Sequence, residues 1–271
     1  MKIFSAAFGP HDHNTYDGEW HNQRERYTRR KHNIPWHFDA YPHHSTVDKM
    51  NKNDNASGRE FYDEYWTPKD HEIFAYTTTI GGVAQMSDLK SRLDFMDWKP
   101  DNLWDYKKED NIYYIDHHQS HAAYAYLTSE FAESDVLAID GRGYNHNTVF
   151  FDKNGTPHDL NLCIGELWDF FSKELGFGTL GASKVMGLVG YSRESKHLMN
   201  LHLLLDEFWS TKNKKHSQHS YIWNKLWNII QQENPRHIAY TLQNATEERV
   251  IEAVQAYKTS DNLCITGGVA Y

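Results

Sequence analysis

Two histidines four residues apart, His117 and His121, are the side chains in this sequence that most directly indicate chemistry. The apolar run at residues 112–115 predicts a short strand, and the alanine-rich residues from His118 onward predict a helix. Residues four apart on a helix project from the same face, so the two imidazoles can bind one metal ion. However, the chain contains 18 histidines, and a chance pair at this spacing is expected about once. Spacing alone therefore also fits two unrelated side chains.

Apolar strands are predicted to end in glycine-containing or small polar turns at residues 8–12, 139–143 and 266–268. Glycine allows backbone N–H groups to approach an anion closely, and such turns cradle phosphates. An aspartate at a strand end, here Asp140, can bind a metal ion or orient a hydroxyl. Each turn alone is a common way to end a strand. Their order suggests the two-lobed α/β architecture of actin, Hsp70 and sugar kinases, with a nucleotide between the lobes.

A fourth glycine-containing segment places Lys184 between Gly181 and Gly187. A lysine in such a segment can reach a phosphate or a carboxylate, and it equally fits a surface lysine in a glycine-rich loop.

The charge and cysteine content limit the class of partner and the compartment. The formal net charge of −9 argues against nucleic acid or an anionic membrane surface as the main partner. A local basic run at residues 24–31 fits either a solvated face or a clamp for phosphate or carboxylate. The two cysteines lie in apolar surroundings and indicate buried core positions. The sequence shows neither a signal peptide nor an apolar stretch of membrane-spanning length, so we expect a cytoplasmic protein.

Five segments occur in the order of one family's motifs. They are His11-Asp12, the run Glu-Arg-Tyr-Thr-Arg-Arg-Lys-His at 25–32, His-His-Gln-Ser-His-Ala-Ala at 117–123, Gly181 with Lys-Val-Met-Gly-Leu at 184–188, and Asn-Leu-Cys-Ile-Thr-Gly-Gly-Val-Ala at 262–270. Together they resemble the NodU-type O-carbamoyltransferases of nodulation-factor and antibiotic biosynthesis. The second and fourth segments are specific, so the resemblance favours the metal interpretation of the histidine pair.

The resemblance implies an actin/Hsp70-like α/β fold with two lobes. We expect the first lobe at residues 1–130, with an inserted loop at 33–70, and an incomplete second lobe at 131–271. The resemblance further implies transfer of a carbamoyl group from carbamoyladenylate to a hydroxyl of a sugar- or nucleoside-like small molecule. The Hsp70-like part of the family looks similar to the proteins that modify tRNA with threonylcarbamoyl, in which a His-x-x-x-His pair holds iron.

The same resemblance assigns roles to individual residues. His117 and His121 would hold a divalent metal ion, Fe(II). His11 would accept the proton of the acceptor hydroxyl, Asp12 would orient it, and Lys31 would neutralise the phosphate of the leaving adenylate. The carbamoyladenylate would be bound by residues of the glycine-containing segments: Asp140, Gly141, Gly143, Gly181, Lys184, Gly187, Gly267 and Gly268.

Two departures from the family pattern affect the expected activity. The adenylate-forming YrdC-like domain of the family is not in this sequence, and the family's third metal ligand, an aspartate after the Gly-Gly turn, would fall beyond Tyr271. We therefore expect a fragment, a split gene product or a truncated remnant, with a separate YrdC-like domain or chain as a partner. We also expect no activity from carbamoyl phosphate and ATP alone. Two other functions stay open: a kinase or ATPase of the same fold, which would not need the histidine pair, and an inactive nucleotide-binding remnant.

Overall fold

The computed structural model describes residues 3–8, 13–16, 21–23, 73–78, 100–109, 112–141, 147–178, 181–191, 196–210 and 216–270. The chain separates into two compact units, Met1–Ser120 with Gly143–Asn145 and His121–Arg142 with His146–Tyr271. The main division falls within a helix, and the expected lobes at 1–130 and 131–271 stay a prediction. The inserted loop expected at 33–70 lies outside the described residues. Among the helices in the described ranges, none combines the length and apolar character needed to span a bilayer.

The first unit contains a six-stranded mixed sheet. Its strands are β1 (Ile3–Phe8), β2 (His13–Tyr16), β3 (His21–Gln23), β4 (Ile73–Thr78), β5 (Lys107–Glu109) and β6 (Ile112–Ile115), in the spatial order β3-β2-β1-β4-β6-β5. Strand β1 pairs antiparallel with β2 and parallel with β4, which in turn pairs parallel with β6. The carboxyl ends of β1, β4 and β6 therefore lie at the same edge of this sheet.

The second unit contains a four-stranded sheet. Its strands are β7 (Asp135–Ile139), β8 (Thr148–Phe151), β9 (Pro157–Asp159) and β10 (Leu263–Thr266), in the order β10-β7-β8-β9. All residues of β7 and β8 are buried, as expected for the nearly continuous apolar runs of strands covered on both faces. Strand β10 alternates exposed and buried residues, which is the two-residue period of a strand with one covered face.

The two sheets share one strand arrangement. Strands β1–β3 and β7–β9 each form an antiparallel meander, and β4 and β10 each pair in parallel with the first strand of their meander. Because β7 and β10 are parallel, their carboxyl ends meet at one edge of the second sheet. The residues that directly follow these ends are Asp140 and Gly267.

Six helices are described: α1 (His117–Thr128), α2 (Ile164–Glu174), α3 (Ala182–Val189), α4 (Met199–Ser210), α5 (His216–Gln232) and α6 (Pro235–Tyr257). Helices α2 and α4 each bury residues four apart, Leu167 with Phe171 and Leu201 with Leu205, in one core cluster. This spacing puts both members of a pair on one helix face. Helix α6 begins with Pro235 after Asn234, whose side chain accepts a hydrogen bond from the N–H of Arg236.

A buried carboxylate ties the start of β7 to the loop before β10. Asp135 is only 1% exposed. Its carboxylate accepts hydrogen bonds from the N–H and hydroxyl of Thr259, at 2.8 and 2.6 Å, and from the N–H of Ser260 at 2.9 Å. Three donors satisfy the buried charge and fix the register of β7 beside β10.

Helix α3 differs from the sequence-based expectation. The spacing of Gly181 and Gly187 suggested a glycine-rich loop, but residues 182–189 form a helix. Val185 is fully buried in the core cluster, to which α2, α4, α5 and α6 also contribute. Burial of this side chain on one helix face outweighs the weak helix propensity of glycine.

Candidate metal centre and glycine turns

Four of the predicted catalytic or nucleotide-binding residues lie outside the described residues, namely His11, Asp12, Lys31 and Gly143. Their roles stay predictions. The remaining residues are described. They lie in three places: at the start of α1 after β6, at the carboxyl ends of β7 and β10, and in the segment from Gly181 through α3.

Helix α1 begins at His117 because Asp116 caps it. The N–H of Gln119 donates to the carboxylate of Asp116 at 3.1 Å, and the N–H of Asp116 donates to the side-chain oxygen of Gln119 at 3.2 Å. This reciprocal pair is a capping box. The backbone oxygen of Asp116 already accepts the hydrogen bond from the N–H of Ser120 at 2.9 Å. The cap therefore sets which residue starts the helix and which face His117 and His121 share.

The side chain of Gln119 also fixes this helix start to the segment that precedes β5. Gln119 is 1% exposed. Its amide nitrogen lies within hydrogen-bond distance of three backbone oxygens, those of Asn102 at 3.2 Å, Leu103 at 2.7 Å and Asp105. An amide nitrogen carries only two hydrogens, so at least one of them is shared. The first turn of α1 is thus held by side-chain hydrogen bonds in addition to its own helical ones.

His117, His121 and Asp140 form a compact group of possible metal ligands. One ligand atom from each residue lies within 4.8 Å of the others, and all three residues are partly exposed. Nε2 of His121 is 3.5 Å from Oδ2 of Asp140. Both histidines lie on α1, so the helix itself sets their spacing. Two imidazoles and one carboxylate form the donor set of the facial triad that suits Fe(II), so these residues fit the predicted ion.

Asp140 is held at the end of the buried strand β7. Its N–H donates to the backbone oxygen of Asn147 at 2.9 Å, which extends the pairing of β7 with β8 by one residue. The N–H of Gly141 donates to Oδ1 of the Asp140 carboxylate at 2.7 Å. Oδ1 is therefore occupied by a backbone donor, and Oδ2 is the oxygen that faces His121. The structure places this carboxylate beside the histidine pair, and the predicted role of Asp140 in nucleotide binding stays a prediction.

The Gly-Gly turn after β10 packs directly on the end of β7. Gly267 has a φ of +98°, and a side chain there would collide with the backbone oxygen of Ile139. That oxygen accepts a hydrogen bond from the N–H of Val269 at 3.2 Å. A Cβ atom at Gly268 would sit 3.1 Å from Oδ1 of Asp140. The close approach of two backbones therefore requires glycine at 267, whereas the neighbour of Gly268 is a side-chain carboxylate.

The predicted residues of the fourth glycine-containing segment lie on or next to α3. Gly181 precedes the helix, Lys184 lies in its first turn, and Gly187 lies in its last. Lys184 and Gly187 are exposed. Lys184 is thus an exposed residue of a helix, and not of a loop, and it is accessible to an anionic ligand.

Sequence reasoning missed Asp116 and Gln119, whose contacts orient the histidine pair. A local signal was present, since aspartate followed three residues later by glutamine is a helix-start pattern. The three carbonyl partners of Gln119 lie 14 to 17 residues earlier. No local pattern identifies such partners.

Comparisons with known proteins agree with this architecture. The family described as carbamoyltransferase N-terminus matches residues 45–271. A relative in Synechocystis sp. (strain ATCC 27184 / PCC 6803 / Kazusa), the uncharacterized protein sll1178, is 30% identical over 142 residues. That match covers 50% of this chain and 21% of the Synechocystis protein, so the matched segment spans about a fifth of that relative's length.

Two solved structures match this chain over nearly its whole length. The activator of the 2-hydroxyisocaproyl-CoA dehydratase from Clostridium difficile, with bound ADPNP, has a TM-score of 0.52 and 12% identity, covering 100% of this chain and 81% of its own. The type II variant of the Aquifex aeolicus Ppx/GppA phosphatase has a TM-score of 0.34 and 12% identity, covering 98% and 95% of the two chains. The predicted actin/Hsp70-like α/β fold is confirmed. With 45–271 matched by the family, the chain belongs to the carbamoyltransferase family.

Proposed function

We propose that this chain transfers a carbamoyl group from carbamoyladenylate to a hydroxyl of a sugar- or nucleoside-like small molecule. Membership of the carbamoyltransferase family supports carbamoyl transfer in general. The observation that carries the finer proposal is the group of His117, His121 and Asp140, because a kinase or ATPase of this fold would not need two histidines and a carboxylate within 4.8 Å of one another.

The group is suited to a divalent transition ion, Fe(II) in this proposal. When bound there, such an ion would supply Lewis-acid polarisation of an oxygen atom. Each histidine offers one ring nitrogen, and Asp140 offers Oδ2 while the N–H of Gly141 restrains Oδ1. The side chains of His121 and Asp140 are 33% and 17% exposed, which leaves the group accessible to a small substrate.

The proposed reaction balances as an acyl transfer. The acceptor oxygen forms a bond to the carbamoyl carbon, the bond from that carbon to the adenylate oxygen breaks, and AMP leaves. The acceptor proton passes to a base, for which His11 is the proposed residue, with Asp12 orienting it. Lys31 is proposed to offset the charge on the leaving phosphate.

The adenylate is proposed to bind at the glycine-containing segments. The Gly267-Gly268 turn presents backbone without side chains, and Lys184 presents an exposed ammonium group from α3. Gly141, Gly143, Gly181 and Gly187 complete the proposed binding residues. A YrdC-like domain or chain is the proposed source of carbamoyladenylate, made from carbamoyl phosphate and ATP.

Direct detection of the product tests the proposal. The chain would be incubated with carbamoyl phosphate, ATP, Fe(II), a separately purified YrdC-like adenylate-forming protein and a panel of sugars and nucleosides. Mass spectrometry should detect a carbamate ester of at least one acceptor, and omission of the chain should abolish it. His121→Ala should lower the rate by on the order of 100-fold or more. Carbamate formation at an equal rate without the chain would contradict the proposal.

A histidine outside the group provides a matched control. Nε2 of His158 lies 3.7 Å from Oδ2 of Asp152, with side-chain exposures of 29% and 12%, so this pair resembles His121 with Asp140 in type, distance and exposure. It belongs to no three-ligand group among the described residues. His158→Ala should therefore keep the transfer rate. ATP hydrolysis without carbamoyl transfer, equal in parent and His121→Ala, would favour the ATPase alternative.

A further inference from the structure

The Gly-Gly turn after β10 contacts the carboxylate of Asp140, one of the three possible metal ligands, in addition to its contact with Ile139. Gly268 lies against the carboxylate of Asp140, and a Cβ atom built on Gly268 would be 3.1 Å from Oδ1. A contact this short requires the neighbouring atom to shift by a few tenths of an ångström. Gly268 has no positive φ, unlike Gly267. Alanine at 268 therefore adds one methyl group without forcing an unfavourable backbone conformation.

The carboxylate has little freedom to accommodate that methyl group. Oδ1 accepts the hydrogen bond from the N–H of Gly141 at 2.7 Å. Displacement of Oδ1 would weaken this bond or turn the carboxylate about its axis. Because Oδ1 and Oδ2 belong to one rigid group, turning it moves Oδ2 away from its place 3.5 Å from Nε2 of His121. Ligand positions must hold to within about 0.5 Å for a site to keep its function.

We propose that Gly268 is a positioning residue for the metal ligand Asp140. The missing side chain at this position lets the carboxylate keep its hydrogen bond to Gly141 through Oδ1 while Oδ2 faces His121. The inference rests on the metal site of the proposed function. It adds that the turn expected to bind the nucleotide also sets the geometry of one metal ligand.

Metal affinity, measured on the chain without substrates, tests this role. Co²⁺ is a suitable probe because its visible absorption reports ligand geometry, and a titration gives the dissociation constant. Gly268→Ala should weaken Co²⁺ binding by about tenfold or more, the scale for partners that orient a ligand. Gly190→Ala is the matched control, since Gly190 has φ −62° and a Cβ there meets only the backbone oxygen of Gly187 at 3.4 Å. The control should bind Co²⁺ as the parent does.

A double-mutant cycle separates positioning from a general structural effect. In the background of Asp140→Ala, the added methyl at 268 has no carboxylate to displace, so Gly268→Ala should cause no further loss of affinity. Should Gly268→Ala alone fail to fold, the double variant should recover folding, because the clashing oxygen is gone. Parent-like affinity in Gly268→Ala, an equal loss in both backgrounds, or misfolding of both variants would overturn the inference.

The same titration distinguishes this inference from the proposed function. If the double variant His117→Ala/His121→Ala binds Co²⁺ as tightly as the parent, the metal site itself is refuted. If that variant loses binding but Gly268→Ala does not, only the positioning role is refuted.

Discussion

Replacement of Gln119 by alanine should destabilise the start of helix α1 by about 3 kcal/mol. The substitution removes the oxygen that accepts the N–H of Asp116, and loss of a capping bond costs about 1 kcal/mol. It also removes the amide that donates to the backbone oxygens of Asn102, Leu103 and Asp105. Two buried neutral hydrogen bonds contribute about 1 kcal/mol each, and their acceptors are left without that donor.

Urea unfolding followed by far-UV circular dichroism measures this loss as a lower midpoint at an unchanged m-value. Gln119→Met separates hydrogen bonding from packing, since methionine nearly matches glutamine in length but carries no amide. It should lose most of the stability that Gln119→Ala loses. Ser120→Ala is a neighbouring control that removes one hydroxyl bond to the backbone oxygen of Asp116 and should cost less than about 1 kcal/mol. Parent-like stability of Gln119→Met would refute the assignment of this energy to the hydrogen bonds.

Three further substitutions have expected outcomes. Asp135→Ala removes a buried carboxylate that accepts three hydrogen bonds, and should lower the unfolding free energy by about 3–5 kcal/mol in the same urea assay; a loss near zero would contradict its role. Gly267→Ala forces a φ of +98° and a clash with Ile139, so its thermal midpoint should fall well below that of Gly190→Ala, which should stay near the parent. Lys184→Ala should leave stability within about 0.5 kcal/mol because the side chain is exposed. It should also weaken AMP or ADP binding by about 1–3 kcal/mol in calorimetry, and unchanged binding would remove Lys184 from the nucleotide site.

Strands and helices with a clear local sequence pattern could be predicted from the sequence. The apolar runs at 112–115 and 135–139 predicted strands β6 and β7, and the alanines after His118 predicted helix α1, which in the structure begins at His117. The spacing of His117 and His121 on that helix was also predictable, because a helix fixes it through local geometry alone. The glycine at 267 reflected a real backbone requirement, a positive φ at a crowded strand end.

The rest depended on contacts between distant residues. Asp140 lies 19 residues after His121, and only the positions of α1 and β7 bring its carboxylate to the histidine pair. An aspartate at a strand end fits a metal site and a nucleotide site equally well, so the sequence alone did not group Asp140 with the two histidines. Helix α3 was missed for a similar reason, since it packs against α2 and α6, which lie elsewhere in the sequence, and Val185 is buried. Tertiary packing overrides local propensity at both places.

The central claim, a transition-metal site made by His117, His121 and Asp140, is tested most directly by metal content. The chain would be produced in iron-supplemented medium, purified without chelators, and its metal measured by inductively coupled plasma mass spectrometry. The parent and the matched control His158→Ala should each carry a comparable, substantial fraction of iron per chain. His117→Ala/His121→Ala and Asp140→Ala should carry much less, since three ligands are the fewest that usually hold such an ion. Equal iron in the parent and in His117→Ala/His121→Ala would contradict the claim.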